Sequence, residues 1–522
     1  MPIIKPIQDL VQAAIEEQHE REINPNEPKI FIPTRVSRAS FVYERMRNAV
    51  DYKEEHLVRR NAIERILRRM IASGKRENLG ERLIEELIHA RYLPNNTLPQ
   101  KKIAQLNAIF DKYFTLIGLA PLKDIGHIES TAGWMLGIMA TEIDEALVPP
   151  YVMHAAINAM YEVMEKRLHI EDDISPNDRH KQIYLSASRA LYKNDNDTLR
   201  YHLFLIYYPQ WPQASQQLVR EIGAQLHEIR ATITTDLNHL LREKFTTMLR
   251  KNVAYFSIIR DIIVDDPNGS WHDMHLREPF NARIQKRCET AYARGRITLH
   301  RSIRRSIIYL IVTKFLVALL LEVPIEYFLL NKLHLIPPVI NLAFPPILLA
   351  IIALSTKLPD NENTEKIIQG INTIVHGEND ILQMPKARGR SIVLQTVFVI
   401  LYAALFTLSF GILISILQTL SFGIVSILVF LFFLSLVSLF AYRIRLVNQE
   451  LVVTPPKQGF IRSLWGFTTI PVLHAGKWMS TKFAKINVFI FLLDFVIEAP
   501  FKSFVKIVEE WTNYVHEKKE EI

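Results

Sequence analysis

Residues 392–442 read IVLQTVFVILYAALFTLSFGILISILQTLSFGIVSILVFLFFLSLVSLFAY, and this stretch contains no Asp, Glu, Lys, Arg or His. A membrane-spanning helix needs about 20 mostly apolar residues, so the block has the length of two such helices and a tight turn. Gln418 interrupts the hydrocarbon character, with Gly411 and Gly423 on either side, which puts the turn at residues 415–421. A helix on the core of a soluble protein carries a polar stripe, and none is visible here. The expectation is a transmembrane hairpin, and hence a chain anchored in a membrane.

Charges around the block set its orientation. Basic residues gather before the first hydrophobic segment (Arg301, Arg304, Arg305), before the block (Lys386, Arg388, Arg390) and after it (Arg443, Arg445). The opposite connections, residues 331–335 and 415–421, contain only Lys332. Cytoplasmic loops of membrane proteins carry the excess of Lys and Arg. About four crossings follow, with both termini in the cytoplasm.

The first membrane pair, residues 307–355, differs from the uncharged hairpin. Its first segment carries Lys314, Glu322 and Glu326, with Pro324 between the acids. Its second holds Pro337-Pro338 and Pro345-Pro346 around Asn341. Each proline removes a backbone donor, so a kinked or discontinuous span, packed against neighbours, is expected there. Ionisable groups inside a membrane are costly and mark function by default. Lys314, Glu322, Glu326 and Asn341 therefore form the candidate polar cluster of the membrane part. Depth weakens the case for the acids. At about 1.5 Å per residue, Glu326 lies roughly 32 Å beyond Arg305, at the outer interface, and Glu322 just inside it.

Residues 1–265 read as a soluble, all-helical domain, because apolar residues recur at three- and four-residue steps and alternating strand patterns are lacking. Residues 36–71 suggest one long charged helix or a pair. Ser175-Pro176 is a helix start, with the cap followed by proline at the first helical position. Leu218, Ile222, Leu226, Ile229, Ile233, Leu237 and Leu240 outline one long amphipathic helix. Asp265-Asp266-Pro267-Asn268-Gly269-Ser270 reads as a linker.

After that linker comes a basic juxtamembrane helix, residues 266–306 in all. Arg283, Lys286, Arg287, Arg294, Arg301, Arg304 and Arg305 fall within an arc of about 100° on a helical wheel. Cys288, Tyr292, Leu299 and Ile303 lie opposite. Seven cations beside a bilayer suit anionic headgroups, at about 1 kcal/mol each; the competing reading pairs them with acids of the helical domain. Residues 356–391 form a cytoplasmic loop with a short helix near 364–375. Residues 443–522 read as interfacial and amphipathic helices, with Trp465, Lys477, Trp478, Lys482 and Lys485 as headgroup-zone anchors. The run at 488–499 is too short to span and contains Asp494 and Glu498.

Composition narrows the function without naming it. The formal net charge is +8 and no aromatics interleave the basic stripe, so nucleic acid is not an expected partner. One cysteine excludes an internal disulfide. The first residues lack the apolar core of a signal peptide, which leaves the helical domain on the side where it is made. No phosphate loop, nucleophile elbow, His-Glu-x-x-His or dinucleotide fingerprint occurs. The pairs Glu16/His19 and Glu86/His89 have di-iron spacing, at a frequency that composition alone produces. No metal, cofactor or catalytic residue is expected. The reading is an all-α, multi-pass membrane protein acting as a scaffold or interaction module through its cytoplasmic domain. Its partners would be proteins and an anionic bilayer. The alternative is an ion or small-solute channel or transporter built on Lys314, Glu322 and Glu326.

Overall fold

The computed structural model describes residues 2–21, 27–32, 55–72, 77–119, 125–317, 336–354, 359, 361–377, 382–384, 392–449, 452–453, 474 and 478. Within them the chain is all-helical apart from one short parallel strand pair. It divides into two compact units: Met1–Thr290 with Asp360–Arg388, and Ala291–Pro359 with Gly389–Ile522.

In the first unit the local signals act as written. Ser175 accepts a hydrogen bond from the Asp178 N–H at 3.1 Å, and Pro176 opens the helix Pro176–Leu191. Asp195 caps Asn196–Tyr207 through the Thr198 N–H in the same way. Phe204 of the second joins Ile63, Leu83, Phe110 and Ile138 of other helices in one core with Trp211, which a 3₁₀ turn carries into the interior.

Two expectations change. The stripe from Leu218 to Leu240 is two helices, Gln216–Ala224 and Leu226–Leu237, separated at Gln225. Gly223 weakens the helix just before the break, and the bend keeps Val219, Ile222, Ile229 and Ile233 on one core. Leu240 lies beyond the second helix and is 99% exposed. The supposed linker at 265–270 is a helix start. Asp266 accepts from the Gly269 N–H at 2.9 Å, and Pro267 stands at the head of Pro267–Met274. The turn formers there are cap formers. Of the charged stretch 36–71, Glu55–Ala72 is helical, and residues 36–54 lie outside the described residues.

Residues 361–384 are also part of the first unit. The helix Asn361–Val375 buries Ile367, Ile371, Ile374 and Val375, packing on Val253–Asp265. Its neighbour Tyr255 comes so close that a Cβ at Gly370 would stand 2.5 Å from the ring. The Ile4 N–H donates to the Val375 carbonyl at 3.0 Å, and Arg167 Nη2 to the Thr373 carbonyl at 2.9 Å. Leu382–Met384 then pairs in parallel with Leu168–Ile170, Leu168 facing Leu382. Two strands distant in sequence are thus joined in one ladder.

The second unit contains the uncharged hairpin as two helices, Ile392–Thr419 and Ile424–Gln449. The turn falls at Leu420–Gly423, later than the sequence suggests. There Ser421 takes a positive φ of 62° and the Phe422 N–H returns to the Leu417 carbonyl at 3.1 Å. That closure serves a carbonyl left over at the helix end. The proline-rich segment is one helix, Ile336–Leu354, and it continues through Pro345-Pro346. Pro337 and Pro338 stand in its first turn, where no intrahelical donor is needed. The later pair is held by packing, with Ile340, Phe344, Leu348 and Leu349 against Phe430, Phe433 and Leu434.

Among the described residues one helix, Thr396–Thr419, is long and apolar enough to cross a membrane. Val339–Ile352 and Ile424–Ser438 are shorter apolar helices.

Candidate functional site

The expected polar cluster is partly assembled. Lys314 is fully buried, and its Nζ lies 4.7 Å from the centre of the Phe433 ring. Asn341 is equally buried and donates from Nδ2 to the Ser426 carbonyl at 3.2 Å. Phe433 and Ser426 stand seven residues apart on Ile424–Gln449, which is about 10.5 Å along a helix. One helix therefore serves both polar groups, two turns apart. Ser435 and Ser438 satisfy themselves on that helix, donating to the carbonyls of Leu431 and Leu434. Glu322 and Glu326 lie outside the described residues.

The basic stripe divides into two parts. Arg283 pairs with Asp273 and with Asp266, whose carboxyl is held below the usual range by the Gly269 N–H and then by Arg283. Arg287 pairs with Asp261 at 2.6 Å and with Asp265 at 2.9 Å. These two cations are committed to acids of the first unit. Lys286, Arg294, Arg301, Arg304 and Arg305 are exposed, while Cys288 and Leu299 on the opposite side are buried. Of the interfacial anchors, Trp478 is 60% exposed; Trp465, Lys477, Lys482 and Lys485 lie outside the described residues.

A third constellation has no counterpart in the sequence reading. Glu145 ends the helix Ile125–Leu147, His154 begins Tyr151–Arg167 after Pro149-Pro150, and His202 lies on Asn196–Tyr207. Both imidazoles aim at one oxygen. His202 Nε2 is 2.8 Å and His154 Nε2 3.4 Å from Glu145 Oε1, and the rings stand 5.1 Å apart at 85°. The three donor atoms lie within 4.8 Å of one another. Side-chain exposure rises from 2% at His202 through 14% at Glu145 to 36% at His154. Burial would raise the Glu145 carboxyl, but the His202 charge and the nearness of both imidazoles bring it down to about 2. The same burial, with the Glu145 charge, pushes the Tyr184 phenol up.

The surroundings set this carboxylate apart. Glu142 is met by Lys112, Asp144 by Arg59, Asp172 by Lys244 and Asp236 by Lys181. Among the described residues, Glu145 is met by imidazoles alone. The Nδ1 atom of His202 is buried with no hydrogen-bond partner among them. Histidine and glutamate are ordinary ligands of zinc and related metals, and among the described residues these three are the group able to hold one. The sequence could not announce them, because they come from three helices and share no local spacing.

No family model, no curated protein and no solved structure matches this chain.

Proposed function

We propose that the chain is a multi-pass membrane protein whose large helical unit acts as a membrane-anchored scaffold on the cytoplasmic side. One observation carries the reading: residues 361–384 are built into the same unit as the chain before Thr290. A chain that enters apolar helices after Arg305 and rejoins its starting unit by Asn361 has returned to the side it left. That supports an even number of crossings between them, and the hairpin after Ile392 supplies a further pair. The exposed helix Thr396–Thr419, with Val397, Phe398, Val399, Ile400 and Leu401 all open, fits a lipid-facing surface. The exposed Arg294, Arg301, Arg304 and Arg305 fit anionic headgroups at its cytoplasmic edge.

The test is capture from native membranes with the full chain, because residues 361–384 are needed to complete the helical unit. Specific protein partners, lost when surface residues of the helical unit are replaced, are the expected result. Recovery of no partner by cross-linking and affinity capture would remove the scaffold reading. An ion or small-solute pathway is the second reading, favoured by Lys314, wholly buried near the end of the helix Arg277–Val317. Liposomes holding the purified chain should then pass ions in a way that Lys314→Met changes; absence of flux sinks it.

A further inference from the structure

The donors of Glu145, His154 and His202 converge where, among the described residues, no Lys or Arg pairs with the carboxylate. A buried carboxylate is costly unless paired, and the other buried acids described above have Lys or Arg. A neutral imidazole nitrogen is an ordinary metal ligand, and the three donor atoms lie within 4.8 Å of one another. A divalent cation seated among them would give the carboxylate a fixed counter-charge.

We propose that Glu145, His154 and His202 form a binding site for a divalent transition metal of the zinc class. Two imidazole nitrogens and one carboxylate oxygen are the donor set of open zinc sites, which leave a fourth position for water or another ligand. Metal–ligand bonds of about 2.0–2.1 Å in tetrahedral geometry place neighbouring donors about 3.3 Å apart. The His154–Glu145 separation of 3.4 Å already fits that value, and the His202–Glu145 contact of 2.8 Å opens by about half an ångström. Nitrogen donors select zinc, copper, nickel or cobalt over magnesium and calcium. The partial exposure of His154 provides the way in.

Three neighbouring features hold the donors in place. The start of the His154 helix is tied down by the Val152 N–H donating to Glu17 Oε2 at 3.1 Å. Arg59 holds Asp144, the residue before Glu145. Arg60, buried between Asp195 and Asp197, anchors the beginning of the His202 helix. The donors thus stand on helices fixed by other interactions, so they are largely assembled before any ion arrives.

The experiment uses the full chain in detergent, purified without a polyhistidine tag and stripped with chelator. Zn²⁺ is titrated by calorimetry, and Co²⁺ is added separately to read the absorption of a four-coordinate centre. One equivalent of each metal is expected to bind, with no response to Mg²⁺ or Ca²⁺. His154→Ala and Glu145→Gln should each weaken Zn²⁺ binding by more than roughly 100-fold, since loss of mere outer-shell support costs 10–100-fold. His89→Ala, at a Glu-x-x-His pair elsewhere, should leave it unchanged. Because His154 is partly exposed, its alanine variant is expected to keep the wild-type circular dichroism and metal-free melting temperature. If Zn²⁺ fails to saturate at one equivalent, or folded His154→Ala binds as tightly as wild type, the metal site is overturned.

Discussion

The two units solve the same problem, polar groups away from water, by different means. In the helical unit the usual answer is a Lys or Arg beside each buried acid, Glu145 excepted. Glu142 receives Lys112, the Tyr113 hydroxyl at 2.7 Å and the Trp211 Nε1–H at 2.7 Å, while Lys112 also donates to the Trp211 carbonyl at 2.9 Å. In the second unit, Ser435 and Ser438 donate to carbonyls of their own helix, Asn341 to the Ser426 carbonyl of that same helix, and Lys314 lies over an aromatic face. Its outward surface is apolar instead, as along Val397–Leu401. The comparison teaches that, among the described residues, buried acids with charged partners belong to the first unit, and long runs of exposed hydrocarbon to the second.

The largest expected effect breaks the first side of that comparison. Glu142→Ala leaves Lys112 buried without its counter-charge, and strands the Tyr113 and Trp211 donors. Removing one partner of a buried pair costs about 3–5 kcal/mol, a large part of a domain's whole stability. Chemical unfolding of the full chain in detergent, followed by tryptophan fluorescence, should shift to much lower denaturant. A shift equivalent to less than about 1 kcal/mol would mean that the network contributes little.

Next comes the joint that brings residues 361–384 home. Gly370→Val forces side-chain atoms into space that the Tyr255 ring fills, since even a Cβ at that position would stand 2.5 Å from the ring. Such overpacking costs about 1–3 kcal/mol. Limited proteolysis should then cut between Asp360 and Arg388 while the body of the unit stays resistant. The double variant with Tyr255→Ala should recover protection. Equal resistance in Gly370→Val and wild type would show that this helix is not seated on Tyr255.

How much of this was legible in the sequence follows from what a local pattern can carry. The uncharged run at 392–442 announces its hairpin because length and lack of charge act locally, and Ser175-Pro176 announces a helix start for the same reason. Residues 364–375 announce a short helix but not the helix it packs on. The strand pairing of Leu168 with Leu382 joins residues with no local sign of one another. Pro345-Pro346 reads as a break on backbone grounds, yet packing against Phe430 and Phe433 holds the helix through it. Glu145, His154 and His202 are invisible for the strongest reason: only the tertiary fold brings three helices to one point. Neither acid of the candidate membrane cluster, Glu322 nor Glu326, falls within the described residues.

A smaller effect belongs to the second unit. Asn341→Leu removes the bond to the Ser426 carbonyl while keeping side-chain volume. Hydrogen bonds between membrane helices average about 0.6 kcal/mol, so the change should cost less than about 1 kcal/mol. Thermal unfolding in detergent measures it. A loss as large as that of Glu142→Ala would erase the difference between the units and give Asn341 the weight of a buried charge.

The smallest effect lies at the head of the helix Pro267–Met274. Asp266 is held below the ordinary carboxylate range by the Gly269 N–H and Arg283. Its pKa is therefore lower folded than unfolded, where about 3.9 is usual. The sign follows: its contribution is fully present above the unfolded value and is lost as pH falls through the folded one. Asp266 is half exposed, so water screens the pair and the contribution is slight. Comparing the melting temperature of wild type and Asp266→Asn from pH 7 down to pH 3 isolates this residue from the other acids. The two curves should converge as the pH falls below about 4, the unfolded value. A constant gap across that range would assign the loss to helix capping geometry and not to the charge, because a neutral cap does not titrate.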